Sequence, residues 1–333
     1  MPEGVSWVIV LVLLLVLAAE FVNGWTDAPN AIATVVSTRV LSPGAAVLLA
    51  VVLNTLGALS GTAVAATIGK GFVDPQDVTP ATVGAAMTGI ILWSTFAWRL
   101  GLPTSESHAL VAGLTGAVIA TAGVDRVRWE GWTKVGEGIL YSTFLGFGVS
   151  MVIMIAIYWL FRRVAPSLVR SIFSRAQIAS AAFMAFSHGS NDAQKFMGAF
   201  TLTLVAGGIL PEFEVPLWVI LLCATTMGIG TATGGWRIIH TLGTRMTRLE
   251  PVHGFAAETG AATVIEVASR FGIPLSTTHT ISTAIMGVGA TQRLSAVRWG
   301  VAGEMVMAWV VTFPVCAAIG WATGMLFKLL GVP

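Results

Sequence analysis

Charged side chains are scarce in this chain. Only 10% of its 333 residues are Asp, Glu, Lys or Arg, whereas 55% are hydrophobic and the mean hydropathy is +0.83. A soluble domain cannot bury so much apolar surface in one core. The composition therefore excludes an ordinary soluble protein and predicts an all-α polytopic membrane protein.

Cysteine is almost absent as well. The two cysteines, Cys223 and Cys316, lie in apolar stretches, which excludes a disulfide framework and a cysteine-based zinc site. The formal net charge is only +2 and the basic residues form no patch, so nucleic-acid binding has no support. No Lys or Arg precedes the apolar residues 5–19, so we interpret them as a retained first helix rather than a signal peptide.

Long apolar runs account for most of the chain. One membrane crossing takes about 20 apolar residues. Such runs occupy residues 5–22, 44–68, 80–98, 138–161, 176–187 with a continuation to 209, 216–235, 255–270 and 299–330. Shorter runs begin at Thr104 and Leu275, directly after prolines and with clustered hydroxyl residues, so we expect broken or re-entrant helices there. Together these runs predict about ten to twelve membrane segments.

Three sequence markers occur twice, in the same order and at nearly the same offset. Residues 24–30 (GWTDAPN) match residues 189–195 (GSNDAQK) 165 residues later. Residues 102–108 (LPTSESH) match 273–279 (IPLSTTH) at an offset of 171, and Trp132 with Gly136-Glu137 matches Trp299 with Gly303-Glu304 at 167. The markers predict two repeats, in residues 1–161 and 176–333, joined by a cytoplasmic connecting loop at 162–175.

The distribution of basic residues predicts how the repeats are oriented. With the N-terminus outside, eleven arginines fall in inner loops and six Lys or Arg residues in outer loops, as expected for cytoplasmic loops. Both termini then lie outside the cell membrane, and the two repeats are inverted with respect to each other. Inverted repeats with broken helices are typical of transporters that work by alternating access, with the binding site between the repeats.

The two Asp motifs are candidate cation sites. A carboxylate at membrane depth costs several kcal/mol unless a partner, water or an ion compensates it. We expect each motif to interrupt its helix, because Gly begins it and small and polar residues follow. The exposed carbonyl oxygens would join Asp27, Asn30, Asn191 and Asp192 in the oxygen ligand set that sodium prefers. The alternative is a purely structural role for each buried Asp.

The two Pro-hydroxyl motifs are candidate anion sites. Proline followed by Ser or Thr is a typical helix start, where free backbone amides and the helix dipole attract an anion such as phosphate or sulfate. The hydroxyl donors are Thr104, Ser105, Ser107, Ser276, Thr277 and Thr278. Structural capping is the alternative for any one of them. Lys195 stands where the first copy has Asn30, and it either neutralises Asp192 or approaches the anion.

Other ionisable residues lie outside these motifs. Glu258 occupies an apolar run, and Met87 is its partner in the first repeat, so Glu258 is a candidate for coupling a cation or proton, with a structural hydrogen bond as the alternative. Glu137 and Glu304 are repeat-related and are expected near helix ends. We interpret the three histidines of the motifs, His108, His188 and His279, as hydrogen-bonded packing residues, with a proton carrier as the alternative, and they lack metal-ligand spacing.

Residues 24–30 and 189–195 resemble the two signature regions of the inorganic phosphate transporter (Pit) family of cation-coupled symporters, and the likeness extends over essentially the whole chain. The resemblance implies symport of phosphate with sodium or protons, a homodimer, cation sites at the matching Asp and Asn residues, and phosphate near the paired helix starts. Thr26 stands where the family often has Asn, and Glu106 stands where the second copy has Thr277. The family also includes sulfate permeases.

The sequence thus predicts a secondary active transporter rather than an enzyme, which moves inorganic phosphate together with sodium by alternating access. It requires no cofactor beyond its coupling ion. Proton coupling, a metal-phosphate substrate and sulfate transport are the alternatives within the family, and an ion channel is a less favoured class. An intramembrane hydrolase built on Ser190 and His188 is disfavoured, because residues two apart on a helix face different ways.

Overall fold

The computed structural model describes residues 6–27 and 29–332, which are helical apart from turns and one isolated bridge between Val73 and Val127. The α-helices in order are α1 (Trp7–Asp27), α2 (Pro29–Ser37), α3 (Pro43–Ala58), α4 (Ala63–Gly71), α5 (Pro80–Leu100), α6 (Glu106–Thr121), α7 (Trp129–Leu140), α8 (Gly146–Phe161), α9 (Pro166–Ala206), α10 (Leu217–Thr233), α11 (Trp236–His240), α12 (Pro251–Arg270), α13 (Thr277–Gln292) and α14 (Trp299–Leu329). Short 3₁₀ turns at Pro75–Asp77, Val124–Arg126 and Leu294–Ala296 and π-helical turns at Tyr141–Leu145 and Thr241–Arg245 complete the list.

Local sequence accounts for several helix boundaries. Proline fits the first helical turn, where its missing N–H is not needed, and a preceding Ser or Thr accepts a bond from the free amides. Ser42 caps α3 before Pro43, and Thr79 caps α5 before Pro80. At the other end of α5, Gly101 takes the left-handed conformation with φ of 70°, which stops the helix before Pro103.

Among the described residues, four helical stretches are long and apolar enough to cross a membrane: Trp7–Ser37, within which Ala28 is not described, Pro80–Leu100, Trp129–Phe161 and Trp299–Leu329. Two bent pairs, Pro43–Ala58 with Ala63–Gly71 (68°) and Leu217–Thr233 with Trp236–Arg245 (65°), raise the number to six if each pair is one span. The fold is therefore that of a multi-pass membrane protein. The count of ten to twelve segments stays a prediction.

The same succession of elements occurs twice. A bent pair (α3 with α4) is followed by α5, α6, a 3₁₀ turn and a long helix that begins at Trp129. In the second half, a bent pair (α10 with α11) is followed by α12, α13, a 3₁₀ turn and a long helix that begins at Trp299. The repeated order agrees with the offset between the sequence markers, whereas the inverted orientation of the repeats stays a prediction.

Helix α9 corrects two sequence-based expectations. It continues without a break through residues 189–195, so the predicted interruption at Asp192 is wrong. It also begins at Pro166, so only residues 162–165 of the predicted connecting loop 162–175 lie outside helices. In the first copy, the predicted interruption falls on Ala28, which lies outside the described residues.

The two halves of the chain are intertwined. Helix α14 from the second half packs on α5 and α6, and α8 from the first half packs on α12 and α13. Helix α9 runs between them and contacts both α3 and α12. Each of the two hydrophobic cores contains residues of both halves. Because each half packs a helix against the other half, helices of both repeats contact one another in the interior.

Two contacts join loops that lie on the same side in the orientation with the N-terminus outside. Arg126 pairs at 3.0 Å with Asp77, and this orientation places both on the outer side. Arg237 donates to the carbonyl oxygen of Arg99, and this orientation places both on the inner side. The orientation itself stays a prediction.

Candidate functional site

The two repeat-related aspartates meet in the interior. Asp27 lies at the end of α1 and Asp192 within α9, and both side chains are buried. The hydroxyl of Thr277, at the start of α13, lies 3.2 Å from a carboxylate oxygen of each aspartate. Because one hydroxyl reaches both carboxylates, the two Asp motifs form one site.

The two Pro-hydroxyl motifs bond to each other reciprocally. Ser107 donates to the carbonyl oxygen of Leu275 at 2.7 Å, and Thr278 donates to the carbonyl oxygen of Thr104, also at 2.7 Å. Ser107 corresponds to Thr278 and Thr104 to Leu275 in the repeat, so each bond is the counterpart of the other. The starts of α6 and α13 are thereby held side by side at a local two-fold relationship.

Ser105 and Ser276 act as N-caps of these two helices. The Ser105 hydroxyl accepts from the backbone N–H of His108 at 3.3 Å, and Ser276 accepts from that of His279 at 3.2 Å. A side-chain cap satisfies one of the backbone amides that the first helical turn leaves free. The structural capping considered for single hydroxyls is thus present at both serines, and their predicted role in phosphate binding stays a prediction.

The histidine rings of the same motifs pack against each other. The His108 and His279 ring centroids lie 4.6 Å apart, His108 stacks on Phe313 at 4.4 Å, and His279 lies edge-on to Trp309 at 3.7 Å. Their surroundings are aromatic and buried. These contacts are those of packing residues.

Neutral hydrogen-bond donors surround Asp27. Thr278 donates to its carboxylate at 2.6 Å, and the amide of Asn30 donates both to Asp27 and, at 3.0 Å, to the Thr278 hydroxyl. The amide oxygen of Asn30 is buried and has no partner among the described residues. Such an oxygen is expensive to bury unless a donor or a cation meets it.

Charged and titratable neighbours surround Asp192 instead. The ammonium of Lys195 donates to its carboxylate, so of the two roles considered for Lys195 the structure contains the ion pair. Nε2 of His188 lies 3.5 Å from Asp192 and 4.0 Å from Asp27, and it makes no hydrogen bond in the described part of the chain. Nδ1 of the same ring contacts the side-chain oxygen of Asn54 at 3.0 Å.

His188 therefore lies between the two aspartates, which the sequence analysis did not anticipate. Ligand atoms of Asp27, His188 and Asp192 all lie within 4.8 Å of one another. The signal that could have found it is its position one residue before the second motif. In a continuous α9, His188 is four residues before Asp192, which places both side chains on one helix face.

Asn191 is directed towards the Pro274 turn rather than towards the aspartates. Its amide donates to the Ser269 hydroxyl at 2.8 Å and to the carbonyl oxygen of Ile273 at 3.5 Å. Its own side-chain oxygen is buried without a partner among the described residues. Asn30 and Asn191 thus each offer an unsatisfied acceptor, as a cation site requires.

The two departures from the family pattern contact each other. Thr26 donates to the carboxylate of Glu106 at 3.0 Å, and Ser94 donates to the same carboxylate at 2.8 Å. Glu106 therefore turns towards α1 and α5, whereas Thr277, its counterpart, turns towards the aspartates. Thr26 and Glu106 both differ from their counterparts in the second repeat. Comparison of the two halves could have used this paired difference as a signal that the two residues are in contact.

Glu258 lies in a separate buried polar cluster. Its carboxylate accepts from Thr34, Ser180 and Gln177, the last at 3.1 Å. Thr34 is one helical turn beyond Asn30 on α2, so the cluster adjoins the aspartate site. No basic side chain pairs with Glu258 in the described chain. Glu137 and Glu304 are both exposed, and Glu304 lies 3.4 Å from Arg245, so neither belongs to the site.

A cavity adjoins the bend of each helix pair. One, of about 340 Å³, lies beside the α3–α4 bend and is lined by Ser190, Gln194 and Arg270 among others. The other, of about 450 Å³, lies beside the α10–α11 bend and includes Arg99 and Arg237. Arg99 corresponds to Arg270 in the repeat, so each cavity is lined by one member of a repeat-related pair of arginines.

The site combines buried carboxylates with the unpartnered amide oxygens of Asn30 and Asn191. It lies where repeat-related helix starts meet inside a bundle of apolar helices. This combination is typical of a membrane transport protein. By sequence, residues 23–320 match the family model described as "Phosphate transporter family". The chain belongs to the phosphate transporter family, which confirms the family resemblance.

Known relatives agree with this assignment. The chain is 47% identical over 302 residues to a "Probable low-affinity inorganic phosphate transporter" of Rhizobium meliloti (strain 1021), with 90% of each chain covered. A protein of the same name from Bacillus subtilis (strain 168) is 39% identical over 314 residues, with 93% of this chain and 94% of that one covered.

A solved structure shares the fold. The structure entitled "The sodium-dependent phosphate transporter" superimposes with a TM-score of 0.87 at 25% identity, and the match covers 98% of this chain and 100% of that one. The all-helical transporter architecture is therefore shared with a protein of known fold.

Proposed function

We propose that this protein carries inorganic phosphate across the cell membrane together with sodium, by alternating access between two inverted repeats. The observation that carries the proposal is the meeting of Asp27 and Asp192 at the Thr277 hydroxyl. The sodium-dependent structural neighbour and the phosphate-transporting family support it. Ten to twelve segments, both termini outside and a homodimeric assembly belong to the same proposal.

The cation part of the site follows from charge. Two carboxylates in a low-dielectric interior repel each other, and a mobile cation relieves this repulsion. Asp27 and the open amide oxygen of Asn30 supply oxygen ligands in one copy. In the other copy, the Asp192 carboxylate lies at the same centre, whereas Asn191 lies beside the Pro274 turn. Oxygen ligands of this kind suit sodium.

The anion part of the site follows from the helix starts. The first turns of α6 and α13 lie side by side, and the positive ends of two helix dipoles attract an oxyanion. Of the six hydroxyl residues proposed to bind the anion, Thr104 and Thr277 are the two whose hydroxyls neither cap a helix nor bond the opposite turn in the described chain. We therefore assign phosphate contacts to these two hydroxyls first. A bound cation lowers the cost of bringing a phosphate dianion beside the carboxylates, so cation binding precedes phosphate binding in this mechanism.

Proton or divalent-metal coupling is the second candidate, and His188 is the observation that favours it. Its Nε2 atom reaches towards both carboxylates and has no hydrogen-bond partner in the described chain. Imidazole nitrogen with two carboxylates is a ligand set that suits a divalent transition metal better than sodium. A proton on this ring would also offset the carboxylate charge.

Uptake of labelled phosphate into proteoliposomes tests the proposal. Sodium and proton gradients are imposed separately, and divalent metal is supplied or chelated. We expect a sodium gradient alone to drive concentrative uptake that excess sulfate does not compete for.

Each other result has a defined meaning. Uptake that only a proton gradient or added divalent metal supports would favour the second candidate. Strong competition by sulfate would indicate a sulfate permease, and equilibration without accumulation would indicate a channel. Asp27→Asn serves as the inactive reference for all measurements.

A further inference from the structure

Each aspartate accepts a hydrogen bond from the residue three positions further along the chain, and that residue differs between the two copies. Asp27 is followed by Asn30, whose neutral amide donates to the Asp27 carboxylate. Asp192 is followed by Lys195, whose ammonium donates to the Asp192 carboxylate. The repeat thus places one neutral donor and one positive charge at equivalent positions.

Lys195 is enclosed within the protein. The side chains of Lys195 and Asp192 have relative exposures of 1% and 0%, and Asp192 receives the one hydrogen bond that the ammonium donates within the described chain. A buried ammonium needs a paired negative charge, because desolvation of an isolated ion is very costly. The charge of Lys195 also acts on two further buried carboxylates, Glu20 and Glu106.

Within residues 6–27 and 29–332, Asp27 has no comparable fixed cation. Its hydrogen-bond donors are Thr277, Thr278 and Asn30, all neutral. The nearest positively chargeable atom, Nε2 of His188, is 4.0 Å away and lies closer to Asp192. The open amide oxygen of Asn30 lies beside this carboxylate, where an incoming cation would find a second oxygen ligand.

We propose that Lys195 is a tethered counter-ion that takes the place of one coupling sodium ion. In this arrangement, sodium binds at Asp27 and Asn30, and no sodium binds between Asp192 and Lys195. The inference rests on the proposed sodium-coupled function and specifies how many sodium ions that function uses. The site then needs one sodium fewer than a symmetric site with Asn in both copies.

The variant Lys195→Asn gives the second copy the residue pair of the first. Net flux is zero at one ratio of inside to outside phosphate concentration. At zero membrane voltage and equal pH on both sides, each coupled sodium ion multiplies this phosphate ratio by the ratio of outside to inside sodium concentration. We therefore expect the balancing phosphate ratio of Lys195→Asn to exceed that of the parent by a factor equal to the imposed sodium ratio.

Sodium binding without phosphate supplies a readout that does not depend on transport. Equilibrium dialysis of purified protein with radioactive sodium should show one more bound sodium per chain in Lys195→Asn than in the parent. Because the charge of Lys195 acts on Glu20 and Glu106, the dialysis is repeated at a higher pH, where both carboxylates are ionised in both proteins, and the difference of one sodium should persist.

Two further variants control for changes in shape. Lys195→Arg keeps a fixed positive charge and should bind as many sodium ions as the parent. Asn30→Lys places a fixed charge beside Asp27 and should bind one fewer. Size-exclusion chromatography establishes that each variant is folded, and Asn30→Lys answers the same question if Lys195→Asn does not fold.

Three outcomes would overturn the inference. An unchanged sodium count in both Lys195→Asn and Asn30→Lys means that Lys195 does not replace an ion. A higher KM for phosphate in Lys195→Asn with an unchanged sodium count means that Lys195 contacts the anion instead. Absence of any sodium dependence in the parent refutes the proposed sodium coupling itself, and this is seen before any variant is made.

Discussion

The two copies of the Asp motif share a framework but differ in their neighbours. Both copies place an aspartate at the Thr277 hydroxyl, and both helix starts are capped by serine and bonded to each other. The first copy lies where α1 ends and α2 begins, the second lies within the continuous α9, and their side chains differ as well, as Asn30 against Lys195 shows. The comparison teaches that two related motifs meet in one site although one aspartate has a resident positive partner and the other has neutral donors.

Replacing the aspartates should give the largest effects and should separate the two copies. Asp27→Asn and Asp192→Asn should both abolish uptake, because each removes a charge from the shared site. Asp192→Asn should in addition destabilise the protein by about 3–5 kcal/mol, since it leaves the buried ammonium of Lys195 unpaired. Uptake in proteoliposomes and thermal unfolding in detergent measure the two effects.

The double variant Asp192→Asn with Lys195→Asn is the matched control. It removes both members of the ion pair, so it should regain most of the lost thermal stability while remaining inactive. Normal cation-driven uptake by either single variant would refute the assignment of the aspartates to the site.

Glu258 and its counterpart Met87 sharpen the comparison further. Glu258→Gln replaces an acceptor oxygen with an NH₂ group, which faces the donors Thr34 or Ser180. We expect a loss of about 1–3 kcal/mol in stability and a marked loss of uptake. Met87→Leu, a substitution of similar volume at the equivalent position, should leave uptake near the parental level. Equal uptake in parent and Glu258→Gln would assign this cluster a structural role only.

Alanine substitutions of the first glycine in each Asp motif, Gly24 and Gly189, test whether the two motifs are packed equally closely. A Cβ at Gly189 would collide with the carbonyl oxygen of Asn54, and one at Gly24 would collide with that of Met227. Each alanine substitution should therefore lower stability by about 1–3 kcal/mol through overpacking. Thermal unfolding of both variants checks this.

The repeat-related glycines of α7 and α14 are matched controls. A Cβ at Gly136 or Gly303 meets no atom within 4 Å. Alanine at either position should raise stability slightly, by up to about 1 kcal/mol, because glycine is a poor helix former. A destabilised Gly136→Ala together with an unaffected Gly189→Ala would contradict the close packing of the motif.

The reciprocal bonds between the helix starts should give the smallest effect. Ser107→Ala removes the donor to the Leu275 carbonyl oxygen, at a cost of about 1 kcal/mol. Thr278→Val removes the equivalent bond and also a donor to Asp27, so it should impair uptake in addition. Similar uptake in the two variants would show that the Asp27 contact is unimportant for transport.

The repeat explains how much of the site could be predicted from sequence. Markers at nearly the same offset indicated that Asp27 and Asp192 come from equivalent motifs and that Ser105 and Ser276 stand at equivalent helix starts. Proline with a following hydroxyl residue is a local signal, because it acts on the first turn of its own helix. Such features depend on neighbouring residues and are therefore readable in the chain.

What could not be predicted depends on contacts between distant segments. Gly189, Asn191 and Asp192 are poor helix formers, which suggested a break in α9. In the fold, Gly189 fits against Asn54, Asn191 bonds Ser269, and Asp192 pairs with Lys195, so tertiary packing overrides local propensity. The direction of Glu106 is another example, since Thr26 and Ser94 approach it from two other helices.

The unbroken α9 has a consequence for how access to the site changes. Its 41 residues extend over about 60 Å, roughly twice the hydrocarbon thickness of a bilayer. An uninterrupted helix offers no local hinge, so we expect α9 to keep its length and direction during the proposed alternating-access cycle. Probes at its two ends should keep a constant separation, whereas probes placed across the α3–α4 and α10–α11 bends should report the opening movements.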